Sequence, residues 1–147
     1  MKKIIAVALL ALILIIIMAE SAKNQKGRVC FKDKCFNVDL AITLEEKIKG
    51  LMHRKNMKGD EGMLFIHEDE NTRGFWMKNV NFPLDIIWMD KDKKVVFINK
   101  NTPICLGDPC PVVKPDVKAK YVLELKGGIS DDIGLKIGDE LILYKQE

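Results

Sequence analysis

The sequence predicts a mainly β domain, a β-sandwich or partly open barrel with one short helix, placed after an N-terminal signal or anchor segment. Three observations predict it. Short apolar runs recur between polar turns along most of the chain. Only one stretch, following Thr43, carries apolar residues at helical spacing. The chain opens on Met1-Lys2-Lys3 and then runs unbroken and apolar from Ile4 to Ala19.

That apolar run is 16 residues long, whereas a full membrane span takes about 20. Its length fits a signal peptide with a long apolar core or a short signal anchor. Small residues at Ala19 and Ser21 offer cleavage points. A buried core helix is the competing reading, but the run is N-terminal, basic-flanked and not amphipathic. The expected organisation is a signal peptide or anchor over 1–19, a polar tether over 20–27 and a single β-rich domain over 28–147. The expected location is extracytoplasmic, either secreted or held at the outer face of the cytoplasmic membrane by the uncleaved N-terminal segment.

A chain of 147 residues suits one domain. Setting aside Lys2, Lys3 and Glu20 takes 24 basic and 21 acidic groups to 22 and 20. These charges are interspersed, and no aromatics are set among Arg and Lys in the manner that stacks bases. Nucleic acid is therefore not an expected partner.

The four cysteines form two equal local pairs, Cys30 with Cys35 and Cys105 with Cys110. Behind an export signal such pairs suggest disulfides. If Lys32-Asp33 is a two-residue turn, Cys30 faces Cys35 across a hairpin within bridging range. The second pair encloses Gly107, Asp108 and Pro109, which close as a small loop. A four-thiolate zinc site is the rival, since a four-residue gap is permitted. No Cys-x-x-Cys redox motif is present.

The elements follow in order. The stretch 28–41 reads as a hairpin. Thr43-Leu-Glu-Glu46 is a capping box, with Leu44, Ile48, Leu51 and Met52 at helical spacing behind it. That helix is expected to end near Arg54 or Lys55, with Gly50 inside it as a sign of close packing. Strands are expected at 62–66, 74–78, 84–89, 94–99, 120–125 and 140–144. Asp90 to Lys93 forms a turn that pairs its two flanking strands. The stretch 101–117 is a Pro-rich loop holding the second cysteine pair.

Five motifs carry a family resemblance. They are Gly50-Leu-Met-His-Arg54, Gly62-Met-Leu-Phe65, Phe75-Trp-Met-Lys-Asn79, Pro83-Leu-Asp-Ile-Ile-Trp88 and Tyr121-Val-Leu-Glu-Leu125, with Gly128 and Gly138-Asp139 also fitting. In this order and spacing they resemble the domain of unknown function 192 family, whose members are uncharacterised and often exported or membrane-tethered. The match runs from about Val29 to Tyr144, with Val80 standing where the family pattern usually has Thr. The resemblance implies a mostly β, sandwich-like fold and implies no activity.

Several residues stand out chemically. Asp85 interrupts an apolar strand and needs a partner, because burying an unpaired carboxylate is costly. Arg54 is the expected partner, either as a structural ion pair or as part of a polar pocket. Strand alternation puts Phe75, Met77 and Asn79 on one face and Trp76 and Lys78 on the other. Trp76 beside Lys78 is then placed to stack on a sugar or partner, unless the Pro-rich loop covers it. Met52, Met57, Met63, Met77 and Met89, with His53 and His67, invite a copper(I) reading, but their spacing shows no tight repeat and Met is ordinary core filler. Ser130 is the sole serine after Ser21, which argues against a serine triad.

The expectation is a small-molecule or saccharide binding module, or an envelope-associated one, with Arg54, Trp76, Lys78, Asn79 and Asp85 around the ligand. No metal, cofactor or catalytic residue is assigned. The enzyme alternative is a polysaccharide hydrolase or lyase using Asp85 and Glu124, which requires both carboxyls in one cleft. The third alternative is a purely structural or partner-binding domain, which predicts an exposed apolar patch around Trp76.

Overall fold

A computed structural model describes residues 25–145, together with Leu9. The expected leader over 1–19 and the first part of the tether otherwise lie outside the described residues. Among the described residues no helix is long and apolar enough to cross a membrane.

The chain is mainly β, with two short helices. Its elements are β1 (Lys26–Phe31), β2 (Lys34–Ala41), α1 (Leu44–Lys49), β3 (Glu61–Thr72), β4 (Phe75–Trp76), β5 (Leu84–Met89), β6 (Val95–Thr102), β7 (Val112–Val113), β8 (Lys118–Lys126), α2 (Ile129–Asp132) and β9 (Ile142–Lys145). Seven strands form one sheet in the order β6-β5-β8-β3-β2-β1-β9, and β4 pairs with β7 in a separate ribbon. Within the large sheet β2 and β3 run parallel, joined by the crossover that carries α1, and the other pairs are antiparallel.

The two margins of this sheet approach each other. Lys94 at the head of β6 bridges Glu140 just before β9. Val95 N–H donates to Asp139 O at 2.8 Å and Leu141 N–H to Lys93 O at 2.9 Å. The open sheet is therefore curled and stitched at one corner, a partly open barrel.

Alternation along the strands divides the core in two. The concave side collects Val29, Val38, Leu40, Leu64, Ile87, Met89, Leu123 and Leu125. The outer side of β3, β8 and β5 carries Met63, Phe65, Val122, Ile86 and Trp88. An outer face this apolar must be covered. Leu51 and Met57 from the crossover, and Met77, Val80 and Phe82 from the segment after β4, cover it. Met57, Met63 and Met77 lie in the outer cluster and Met89 in the inner one, so the sheet separates them and they fill core.

Both halves of the capping box form: Glu46 N–H donates to Thr43 Oγ1, and Thr43 N–H donates to the Glu46 carboxylate. The bonds from Ile42 and Thr43 N–H hold the Glu46 carboxyl below its ordinary pKa. The helix stops at Lys49, earlier than the spacing predicts, because Gly50 turns the chain with φ 47°. Leu44 and Ile48 consequently point outward, 74% and 62% exposed, and Leu51 alone of that apolar stripe is buried. The second helix, α2, is not foreseen from the sequence, since its four residues leave no periodicity to read.

Cys30 and Cys35 face each other across the β1–β2 hairpin and are bonded, as are Cys105 and Cys110. No free thiol remains for the zinc alternative.

Candidate functional site

A cleft of about 330 Å³ opens on the outer face of the sheet. Its floor is Phe65 on β3 and Glu124 on β8. One wall is the end of α1 and the turn Gly50–Met52. The other is the stretch from His67 through Thr72, Arg73 and Gly74 to Phe75, Trp76, Lys78 and Val80.

Local sequence sets this shape. A Cβ at Gly62 would stand 2.7 Å from the backbone oxygen of Glu124, so glycine lets β3 and β8 pair closely beneath the cleft. A Cβ at Gly50 would meet the Phe65 ring at 3.3 Å, so glycine lets the wall turn down onto the floor. Phe75 packs edge-on against Phe65 and Trp88, with centroids 4.9 and 5.8 Å apart. Trp88 Nε1–H donates to Arg73 O at 2.9 Å and fixes the opposite wall.

Glu124 is the unusual group. It is 4% exposed, lies among Met63, Ile86 and other outer-face residues, and still lines the cleft. No hydrogen bond within the described residues reaches its carboxyl. Burial pushes the group up to about 8, with the Arg54 charge a smaller opposing influence. Near neutral pH it is a carboxylic acid that can donate a proton in a hydrogen bond.

His67 lies two residues beyond Phe65 and lines the same cleft. Burial, then the charges of Arg73 and Lys47, lower its pKa to about 4, so it is a neutral imidazole. Its Nε2 is buried without a partner, as is Arg73 Nε. Arg73 reaches Asp69 through its terminal nitrogen, which leaves the inner nitrogen unused.

Trp76 is 44% exposed at the rim. Lys78 Nζ lies 5.3 Å from its ring centroid and 3.7 Å from the Asp108 carboxylate. The outward placement of Trp76 and Lys78 agrees with the expectation from alternation, although regular strand ends at Trp76. Trp76 pairs with Val112 in the Pro-rich loop, which therefore flanks the ring without covering it. Asn79 adopts φ 56° in the following turn and does not line the cleft. Its carbonyl accepts from His53 N–H at 2.8 Å. Asn81 Nδ2–H donates to Arg54 O at 2.7 Å, so two of the sequence motifs are stitched together here.

Arg54 and Asp85 do not meet. The Arg54 guanidinium donates to Asp39 on β2, and Lys26 Nζ lies 3.3 Å from the same carboxylate. Arg54 borders the cleft's neighbouring hollows and acts on Glu124 only through its charge. Asp85 is fully buried on the opposite side of the sheet. It accepts from Asn101 N–H at 2.7 Å, Gly128 N–H at 3.1 Å, Ser130 N–H at 2.7 Å and the Ser130 hydroxyl. Asp85 is thus a structural tie at the end of the barrel rather than a ligand group, and the expected Asp85–Arg54 pair is replaced by Asp39–Arg54. Of the five expected residues, Trp76 and Lys78 line the cleft, while Arg54 and Asn79 stand behind its walls.

The sequence offers His67 only as part of a methionine and histidine cluster, and it does not single out Arg73 or Lys47. Period-two spacing from Met63 through Phe65 to His67 on β3 was the signal that could have placed His67 on this face. Among the described residues no group of three or more His, Cys, Asp or Glu side chains is arranged to hold a metal ion.

Residues 27–143 match the model of DUF192, described as an uncharacterized ACR. The chain is similar to a solved structure of a candidate transcription regulator from Sinorhizobium meliloti 1021. That match has 28% identity and a TM-score of 0.72, over 81% of this chain and 92% of that one. It is also similar to a protein of unknown function from Novosphingobium aromaticivorans DSM 12444. There the identity is 31% and the TM-score 0.71, over 80% of this chain and 83% of that one. No curated protein matches the chain.

Proposed function

The chain belongs to the DUF192 family, and from that premise we propose that this domain is an extracytoplasmic small-molecule-binding module whose ligand, a saccharide or similarly sized ring compound, occupies the cleft above Glu124. The observation that carries the reading is Glu124 itself. A buried carboxyl without a partner is costly to keep, and this one faces the outer cleft where aromatic and cationic groups converge. Strongly perturbed acids in clefts are functional-site candidates on physical grounds.

The roles follow from the chemistry. Glu124 donates to a ligand oxygen, Trp76 offers its ring face to a sugar or other ring, and Lys78 meets acceptors at the rim. Arg54 is a positioning residue that ties the 50–54 turn to β2 through Asp39. Two disulfides support an oxidising compartment. Interspersed charges give no support to nucleic acid as a partner.

The polysaccharide-cleaving alternative loses its geometry, because the sheet separates Asp85 from Glu124 and the cleft lining holds no second carboxyl. A partner-binding reading draws support from exposed Leu44 and Ile48 beside the cleft. It predicts self-association or protein capture that Leu44→Asp abolishes.

Amide and indole NMR shifts of the full chain, titrated with monosaccharides and small cyclic alcohols and acids, test the binding reading. The expected result is saturable movement of the Trp76 indole signal and of residues 47–52, lost in a folded Trp76→Ala protein. A panel that moves none of these signals overturns it.

A further inference from the structure

We propose that the cleft selects a ring compound bearing a carboxylate, an acidic sugar or a cyclic carboxylic acid, over its neutral counterpart. The inference deepens the binding reading above and rests on it.

The charge of the lining points this way. Lys47, Lys49, Arg73 and Lys78 all border the cavity, and the only carboxyl among its lining residues is Glu124. Asp69 and Asp108 neutralise Arg73 and Lys78 from outside the lining. Lys47 and Lys49 take part in no ion pair among the described residues. Glu46, the nearest acid in sequence to Lys47, has one carboxylate oxygen held by Ile42 and Thr43 N–H. The lining of the cavity thus carries a net positive charge over an apolar floor, and a low-dielectric concavity of one sign concentrates the opposite one.

The polar atoms inside have matching chemistry. A protonated Glu124 has a hydrogen to give, and Arg73 in the wall keeps a buried Nε–H with no acceptor among the described residues. Both want an acceptor, and a carboxylate oxygen is the strongest common one. A neutral hydroxyl offers two uncharged lone pairs, whereas a carboxylate offers about four lone-pair sites and a charge that strengthens each bond. Phe65, Phe75 and Trp76 supply apolar surface for the remainder of the ligand. The cavity, about 330 Å³, is at the lower end of the roughly 300–1,000 Å³ typical of ligand pockets, which suits a single ring.

The test uses matched pairs on the full chain: glucuronate against glucose, and cyclohexanecarboxylate against cyclohexanemethanol, followed by the same NMR signals. At least one acid should bind tenfold or more tighter than its neutral partner. Adding salt or changing Lys47 and Lys49 together to Gln should erase that preference. If the sugar acid alone responds, the source is a saccharide; if the cyclohexane acid alone responds, it is an apolar acid. Equal binding of acidic and neutral members overturns the inference and leaves the binding reading standing. Absence of any shift with all four compounds overturns the inference, and the binding reading with it if the wider panel also fails.

Discussion

Asp85 and Glu124 stand on hydrogen-bonded neighbouring strands, yet their carboxyls lie on opposite faces of the sheet. Asp85 pairs with Leu125 and Ile86 with Glu124, so the two acids are one residue out of register. Because side chains alternate, that single step sends one carboxyl to the barrel end and the other to the cleft. The first accepts four hydrogen bonds from Asn101, Gly128 and Ser130, and the second accepts none among the described residues. One acid ties the fold and the other lines the cleft.

Removing Asp85 should therefore unfold the domain more readily without a direct effect on the cleft. Asp85→Ala strands three buried or half-buried backbone N–H groups, at about 1–3 kcal/mol each, so a loss on the order of 3–5 kcal/mol is expected. Ser130→Ala deletes one hydroxyl and should cost about 1–2 kcal/mol. Urea unfolding of both proteins checks the ranking. Equal, small losses would mean that Asp85 does not hold the barrel end.

Glu124 should make stability fall as pH rises. Its folded pKa, about 8, lies above the ordinary value of 4.5. The folded state therefore holds a proton that the unfolded state has released, and the stability present below pH 4.5 is lost as pH rises through 8. His67 acts in the opposite sense, since its pKa is lowered from 6.5 to about 4, and its contribution is lost as pH falls through that window. The two oppose each other between about 4.5 and 6.5, and Glu124 acts alone between 6.5 and 8. In that upper window the slope should approach about 1.4 kcal/mol per pH unit. Glu124→Gln should flatten it, as chemical denaturation at pH 6.5, 7.2 and 8 will show. An unchanged slope in the variant would mean that Glu124 is ionised in the folded protein.

Arg54→Ala should raise the Glu124 titration further, because the Arg54 charge is the one influence that favours the ionised form. Carboxyl carbon NMR across pH reads this directly, with a higher midpoint expected. The same change leaves Asp39, 12% exposed, with only Lys26 as a charged partner, and should cost about 1–3 kcal/mol. A midpoint that falls or stays fixed would separate Arg54 from the cleft altogether.

Much of this architecture was legible. Alternation and turn residues placed β5 at its observed bounds, and the Thr43–Glu46 box marked the start of α1. The cysteine spacing read correctly because a hairpin places opposing residues within bridging distance. The Asp85 partner was misread for a physical reason. Arg54 is a charged neighbour that a sequence can advertise, whereas the actual partners are mostly backbone N–H groups, which any residue supplies. Ser130 was the one visible clue, a lone serine beside paired glycines, and it was weighed only as an absent nucleophile. Glu124 stands in the sequence as an acid among apolar residues, but its face depends on strand register, which no local pattern states.

The disulfide between Cys105 and Cys110 should matter more to the cleft than its small loop suggests. The loop leads into β7, whose Val112 pairs with Trp76, and it carries Asp108, which lies against Lys78. Opening a closure of about six residues costs roughly 2 kcal/mol by chain entropy. The bond between Cys30 and Cys35 closes a loop of equal length, so its loss should cost a similar amount. The two should differ at the rim. In the Cys105→Ser/Cys110→Ser protein the Trp76 indole signal should broaden or shift, and any cleft ligand should bind several-fold more weakly. The Cys30→Ser/Cys35→Ser protein should lose the same stability and keep the rim unchanged, because its hairpin packs at the far side of the sheet beside β9. Identical ligand binding by both proteins would show that the loop does not shape the cleft.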